Sequence, residues 1–583
     1  MPLPNENDLG YYTEYTYTQY SHDKDVNVIP QKDFQRLVMD TFETIAENLR
    51  NTYGPYASQI LMTDSSGQTE TTKDGYNTFC ALGFSHQYKQ LVYRAIRKII
   101  DRVNKNVGDG TTSCILLAEK MFSELQKVMT TPDHARKLLN ALTELEDYLQ
   151  SRDAVIQDRK KGIIGPLTDK AMKGLVNMAG NYDEKLRDVL VNALDPTYAE
   201  TDDPETRIVQ SIKNVEVSSS VMADTINVDK LKLSELPGDF RISVNIESEI
   251  GLLFQEGMKV KVVLYDHEFS DSDWNLLFTD KYDKITPTLV LTRRVNRGFK
   301  DGLYTRYCKQ VISMQSNVTV YLAEVVSDYT RDTINDLAHV LDTVPVGVRT
   351  VALNHDELPF TTVTVVNGWI MCFDKICEPK RYIEALKDEL ENSPSQSMIR
   401  HKEYTDRINA LENLGPSSLI TMTAASSLES KMLSDKIDDC LAIVRSACDY
   451  GIVPNILTYG YDRIKRYKAE RDDELVDAIA DAIMRSINGL FDDIWHSKHL
   501  DQYDEKRRQI SEALYAQIDS SFDILEERFI PKEALPTSAQ YDLEVIAAAI
   551  SIVKYLLTSK AMIFDAHLMR PVTDSGNYVP YPR

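Results

Sequence analysis

Apolar and polar positions fall into three textures along the chain. From Phe34 to Arg50 apolar residues recur at three and four (Phe34, Leu37, Val38, Phe42, Ile45, Leu49), which predicts an amphipathic helix stopped by Gly54-Pro55. Two short strand-like runs follow at 58–63 and 68–72, then the turn sequence Lys73-Asp74-Gly75. A long helix over 87–107 ends at Gly108-Asp109-Gly110, and another begins at Thr111-Thr112-Ser113, so the first 155 residues read as mostly helical. Residues 156–218 form a mixed connector. Between 219 and 411 β-branched runs at 260–265, 286–292 and 318–326 are spaced by short helices, the texture of a separate α/β domain. After Gly415 helical periodicity returns over 432–450, 475–495 and 543–564. Helical ends around a different middle predict a discontinuous, multidomain α+β architecture.

The bulk properties narrow the possible functions. A chain of 583 residues exceeds what one hydrophobic core organises. A formal charge of −23 repels phosphate backbones and argues against a nucleic-acid role. The densest basic run, 463–471, reads as a solvated helix face. The polar, acidic, Tyr-rich opening is no secretory signal. The longest nearly apolar stretch, from Val545 to Val553, ends at Lys554, far short of the roughly twenty residues a spanning helix needs. Seven cysteines without a CxxC pair or a histidine at zinc-ligand spacing point to a reducing cytoplasm. Cys440 and Cys448 fall on one helical face as small buried hydrophobes. The sequence contains no Walker loop, so any nucleotide chemistry needs another phosphate cradle.

Residues 108–113 supply the parts of one. Glycines let backbone approach a phosphate, a helix starting at Thr111 aims its free N–H groups at the anion, and Thr111, Thr112 and Ser113 add hydroxyls. Asp109 can hold Mg2+, which takes one or two carboxylates plus phosphate oxygens. Taken alone, this is also how an ordinary helix cap reads. Lys73-Asp74-Gly75 is likewise a common turn and Thr52-Tyr53-Gly54-Pro55 a helix stop. Their order and spacing together carry the signal.

Those three segments resemble the nucleotide-binding domain of GroEL-type, group I chaperonins, whose TLGP, TKDG and GDGTT motifs stand at the same separations. Residues 436–445, ending at Gly451, resemble the family's RVEDALHATRAA helix, residues 423–426 its GAAT segment, and 482–494 its ALRAMEAPLRQIV helix. The likeness is good in the outer thirds and poor in the middle. It implies a helical equatorial ATP-binding domain (1–155 and 450–583), an intermediate hinge (156–218 and 412–449) and an apical substrate-binding domain (219–411). The implied activity is that of an ATPase that binds unfolded proteins and promotes their folding. The implied assembly is a homo-oligomeric ring, sevenfold, single or double, with or without a co-chaperonin lid.

Carried over by position, the resemblance places Gly54 and Pro55 against the sugar and α-phosphate, Asp109 on Mg2+, and Thr111, Thr112 and Ser113 on the β- and γ-phosphates. Gly110 and Gly451 join the nucleotide-binding set. Thr52, Lys73 and Thr112 match the family's K+ positions. Asp74 and Asp439 flank the γ-phosphate and orient or deprotonate the attacking water, Asp439 arriving on a helix that closes when ATP binds. Client-binding candidates are Leu276, Phe278, Leu303 and Tyr307, within 272–282 and 300–308.

The sequence departs from the pattern at 453–457, where a Gly-rich step is expected, at 535–537, where an acid near the ribose is expected, and at Ser427, where an intersubunit acid is expected. Tyr56-Ala57 replaces Lys-Gly, a different tail replaces the Gly-Met repeats, and about twenty extra residues, relative to the family, precede the first helix. Such divergence resembles chaperonins of large bacteriophages, which implies a host-cytoplasm location. Two other readings stay open here. One is a ring-forming binding or scaffold protein that has lost ATP-driven cycling. The other is an unrelated metal-dependent hydrolase using Asp74, Asp109 and Asp439.

Overall fold

The structure is a computed structural model that describes residues 26–54, 56–63, 69–72, 74–129, 132–180, 182–195, 207–208, 211–212, 214–221, 230–277, 286–300, 320–327, 330–347, 355–392, 398–499, 505–516, 518–559 and 561–565. Strand β1 (Val26–Pro30) leads into α1 (Gln31–Arg50). A hairpin of β2 (Ile60–Thr63) and β3 (Thr69–Thr72) precedes α2 (Gly75–Ala81), α3 (Gln87–Val107), α4 (Thr111–Val128), α5 (Pro132–Leu149) and α6 (Arg152–Lys160). Next come α7 (Asp169–Ala179), α8 (Glu184–Leu194), β4 (Val215–Val221) and β5 (Leu231–Leu236).

The middle of the chain is a closed barrel. Strands β6 (Phe240–Ile246), β7 (Met258–Phe269), β8 (Thr288–Val295), β9 (Val320–Val325), β10 (Phe360–Val366) and β11 (Ile370–Phe373) close in the order β10-β11-β6-β9-β8-β7. It carries α9 (Ser248–Leu253), α10 (Asp271–Leu277), α11 (Thr330–Val340), α12 (Lys380–Asn392) and α13 (Met398–Glu412). Strand β7 pairs in parallel with β8 and β8 with β9, the buried parallel stretch that the β-branched runs signalled. Leu276 falls within α10, whereas Phe278, Leu303 and Tyr307 lie outside the described residues.

The chain then returns through β12 (Ser417–Ala424), α14 (Ser427–Tyr450), β13 (Ile452–Pro454), α15 (Thr458–Ala469), α16 (Glu474–His499) and α17 (Glu505–Leu514). It ends in β14 (Ser520–Asp523), β15 (Arg528–Pro531), β16 (Pro536–Ser538), α18 (Ala539–Thr558) and β17 (Ala561–Asp565). Three main hydrophobic cores result. The outer one fuses both chain ends: Phe42, Ile96 and Leu116 from the first part pack with Ile483, Phe491 and Ile550 from the last. The barrel holds its own. Between them, α7, α8 and α14 pack on a sheet in which β12 pairs parallel to β4 and antiparallel to β5. Strand β5 thus joins this sheet rather than the barrel, and Leu236, Leu419, Ile370 and Cys372 link the two.

Two local expectations are corrected. The periodic run 543–564 does not stay helical. Helix α18 stops at Thr558, and Ala561–Asp565 pairs antiparallel with the first strand, Val26 opposite Asp565. The basic run 463–471 is not a wholly solvated face either, for Arg463 is only 1% exposed. Asp158 of α6 supplies the countercharge that makes this burial tolerable. Arg466 grips its two carboxylate oxygens at 2.9 Å each, Tyr459 donates to it at 3.0 Å, and the Arg463 guanidinium lies 4.7 Å from the Tyr148 ring centre. Cys440 and Cys448 are buried free thiols. Among the described residues no helix is long and apolar enough to cross a membrane.

Candidate active site

A cavity of about 280 Å³ opens where the outer helices meet α7 and α14. One wall is the turn between α3 and α4. Gly108 and Gly110 both adopt left-handed backbone, φ 77° and 85°, which costs glycine nothing and places Asp109 between them at the cavity. A side chain would not fit at either. A Cβ on Gly108 would lie 2.3 Å from the Ala442 methyl of α14, and one on Gly110 would lie 2.7 Å from both the Tyr541 ring and Val545.

Other loops complete this polar end. Thr52 donates its hydroxyl to the Leu49 carbonyl at 2.8 Å. Asp74 caps α2, accepting the N–H groups of Tyr76 and Asn77 at 2.9 and 3.1 Å. Ser113 donates to the Tyr53 hydroxyl at 3.2 Å and shares a 2.9 Å hydrogen bond with the Tyr541 hydroxyl. Both phenols are held protonated far above their usual range, chiefly by burial. Ser113 is therefore already engaged by two tyrosines, Tyr53 of the 52–55 segment and Tyr541, which no sequence motif singled out.

Helix α14 forms the facing wall of this end. Met432, Asp435, Lys436, Asp439 and Ile443, spaced at three and four, line the cavity together. Asn77 of α2 donates to Asp435 at 2.9 Å, tying α14 to the outer helices. Asp439, 330 positions after Asp109 in the chain, thus reaches the same cavity as Asp74 and Asp109. Its carboxyl is raised well above the usual range by burial, then by the negative charges of Asp109, Asp74, Asp435 and Asp438. Burial raises Asp109 too, with Asp74 adding to it, and burial followed by the Asp74 charge raises Asp435. Carboxylates crowded in this way favour a bound cation. Among the described residues no three acidic, histidine or cysteine side chains converge as a metal-holding group, so a metal here would rest on Asp109 and on oxygens of its ligand.

The opposite end is apolar, with Leu457, Leu490, Ile494, Phe522 and Ile524 around Asn455 and Ile456. Ile456 and Leu457 hold left-handed backbone, φ 60° and 56°, although neither is glycine and isoleucine is β-branched. Asn455 props the turn. Its amide donates to the Phe522 carbonyl at 2.9 Å and accepts the Phe522 N–H at 3.0 Å, while Thr458 donates to its carbonyl at 2.6 Å. Behind it, buried Asp542 accepts the N–H groups of Tyr459 and Gly460 at 3.0 and 3.2 Å, and burial pushes its pKa up to about 8.

Of the residues singled out by sequence, Thr52, Gly54, Asp74, Asp109, Gly110, Thr111, Thr112, Ser113 and Asp439 line the cavity. Gly451 does not. It caps the C-terminus of α14, donating its N–H to the Ala447 carbonyl at 2.8 Å. Pro55 and Lys73 lie outside the described residues. Leu535 is buried away from the cavity, and Thr537 lines it instead.

Residues 45–338, half of the chain, match the model of the TCP-1/cpn60 chaperonin family. The chain belongs to this family. It is a divergent chaperonin. It is 19% identical over 481 residues to the chaperonin GroEL of Ehrlichia ruminantium, strain Welgevonden, covering 77% of this chain and 79% of the relative. To the chaperonin GroEL of Wolbachia pipientis from Culex pipiens it is 20% identical over 480 residues, 77% and 80% of the two chains. The thermosome subunit alpha of Halobacterium salinarum is 22% identical over 247 residues, 42% of each. Among solved structures, the chaperonin gp146 of a Pseudomonas aeruginosa bacteriophage, EL, crystallised in the presence of ATP-BeFx, aligns with TM-score 0.49 and 15% identity over 92% of this chain and 98% of that one. The multidomain α+β fold is that of a chaperonin.

Proposed function

We propose that this chaperonin binds ATP in the cavity between α4 and α14 and hydrolyses it to drive α14 and the attached barrel, acting on unfolded proteins held in a ring of identical subunits. The ring is sevenfold and cytoplasmic, and clients dock on the barrel unit. The observation that carries the reading is the convergence of Asp439 with Asp74 and Asp109 around a glycine-rich helix start, with Ala442 pressed against Gly108.

Phosphoryl transfer needs positioning and charge neutralisation more than covalent help. Thr111 and Thr112, at the start of α4, line the cavity; their hydroxyls and the free N–H groups of a helix start are the phosphate donors of this reading. Asp109 is the carboxylate that would hold Mg2+, whose chemical contribution when bound is positive charge against the phosphate oxygens. Thr52 and Thr112 are the described positions for K+. Asp439 orients or deprotonates the attacking water from α14, which acts as the lid. Because Asp439 rides on α14, water positioning depends on lid closure, which couples hydrolysis to domain motion.

The test is Asp439→Ala in the assembled protein. ATP affinity is expected to stay within a few-fold while turnover falls about a hundredfold or more, the loss typical of removing a general base. Affinity and rate falling together, or neither changing, would sink the assignment.

A further inference from the structure

Lys436 is the only basic side chain lining the cavity among the described residues. It stands one position after Asp435, which Asn77 clamps, and three before Asp439, on the same face of α14. Four carboxylates share the cavity with it: Asp74, Asp109, Asp435 and Asp439. Among the described residues it nevertheless makes no ion pair and no hydrogen bond, whereas other basic side chains beside buried carboxylates are paired, as Lys120 is with Asp493 and Lys554 with Glu146. Burial and then other carboxylates lead the causes that raise Asp439, while Lys431, which does not line the cavity, partly offsets Asp74 and Asp435. An ammonium group left unpaired at the edge of an acidic cavity is held for a ligand more negative than the cavity itself.

We infer that Lys436 is the protein's own cation for the terminal phosphates of the nucleotide, delivered with Asp439 by the closure of α14. This rests on the nucleotide reading above. A nucleoside triphosphate brings about four negative charges at neutral pH, more than one divalent metal ion cancels. A lysine on the lid supplies positive charge only when the lid is down. The closed lid then favours triphosphate over diphosphate, and loss of the γ-phosphate weakens the hold on α14. Lys436 is a positioning and charge-supplying residue, and the proton transfer stays with Asp439.

The experiment compares Lys436→Met, which keeps the length of the side chain, with Lys436→Arg, which keeps the charge. Dissociation constants for ATP, ADP and AMP are measured by calorimetry on the full chain with Mg2+, alongside turnover. Lys436→Met is expected to weaken ATP binding about tenfold, the size of one lost hydrogen bond to a charged group. ADP should weaken less, AMP should be unchanged, and Lys436→Arg should restore ATP affinity to within about threefold of the native protein. Equal losses for all three nucleotides, or none, in a protein whose unmutated form binds ATP would overturn the role of Lys436 and leave the nucleotide reading intact. Failure of the unmutated chain to bind ATP would overturn both.

Discussion

The two ends of the cavity are both built on left-handed turns, yet they obtain that backbone by opposite means. At the polar end Gly108 and Gly110 adopt φ near 80° without strain, and the space a side chain would need is filled by Ala442, Tyr541 and Val545. At the far end Ile456 and Leu457 adopt φ near 60° against their own preference. There the turn is held from outside, by Asn455 on the Phe522 backbone and by burial of Leu457. One end encodes its shape in the residues that adopt it, and the other imposes the shape through neighbours. The first leaves a motif in the sequence and the second does not.

The sharpest way to break the first arrangement is Gly108→Val. Left-handed valine and a methyl driven into Ala442 should together cost about 3 kcal/mol and lift α14 off the loop, removing most turnover. Adding Ala442→Gly should recover the steric part and leave the backbone part, as read by denaturant midpoint and ATPase rate. For the second arrangement, Asn455→Ala strips the Phe522 N–H and carbonyl of their partner inside the protein. The loss should be about 2 kcal/mol, with nucleotide affinity reduced, and a stability change under about 0.5 kcal/mol would refute the propping role.

Asp542 supports the same turn from behind. Its native pKa of about 8 lies far above that of an exposed carboxyl, so between pH 4 and 8 the folded chain keeps a proton that the unfolded chain has released. Its contribution therefore falls as pH rises through that window. Asp542→Asn, which keeps the acceptor for Tyr459 and Gly460, should gain stability over the native protein progressively from pH 5 to pH 8, by on the order of 1–2 kcal/mol at the upper end, read as a growing difference in melting temperature. A gain independent of pH would argue against a protonated carboxyl. The smallest effect is expected from Ile456→Gly, where relief of about 1 kcal/mol of backbone strain offsets lost apolar contact. A loss above about 3 kcal/mol would show that the isoleucine side chain, rather than the turn, is what this position supplies.

Sequence alone determined the helical outer parts, because periodicity at three and four is a local property of segments such as Gln31–Arg50 and Gln87–Val107. It also marked the loop at 108–113 that lines the cavity, since Gly-Asp-Gly before three hydroxyls is a contiguous arrangement of conformational and chemical needs. Only the tertiary structure decided what depends on distant partners. The pairing of Val26–Pro30 with Ala561–Asp565 joins the two ends of the chain, and no local pattern announces a strand's partner. Arg463 is buried because Asp158 and Tyr148 meet it from helices three hundred residues earlier. Tyr53 and Tyr541 hold Ser113 from two remote segments. Left-handed Ile456 is legible in no propensity, because its conformation follows from packing and hydrogen bonds made by other residues.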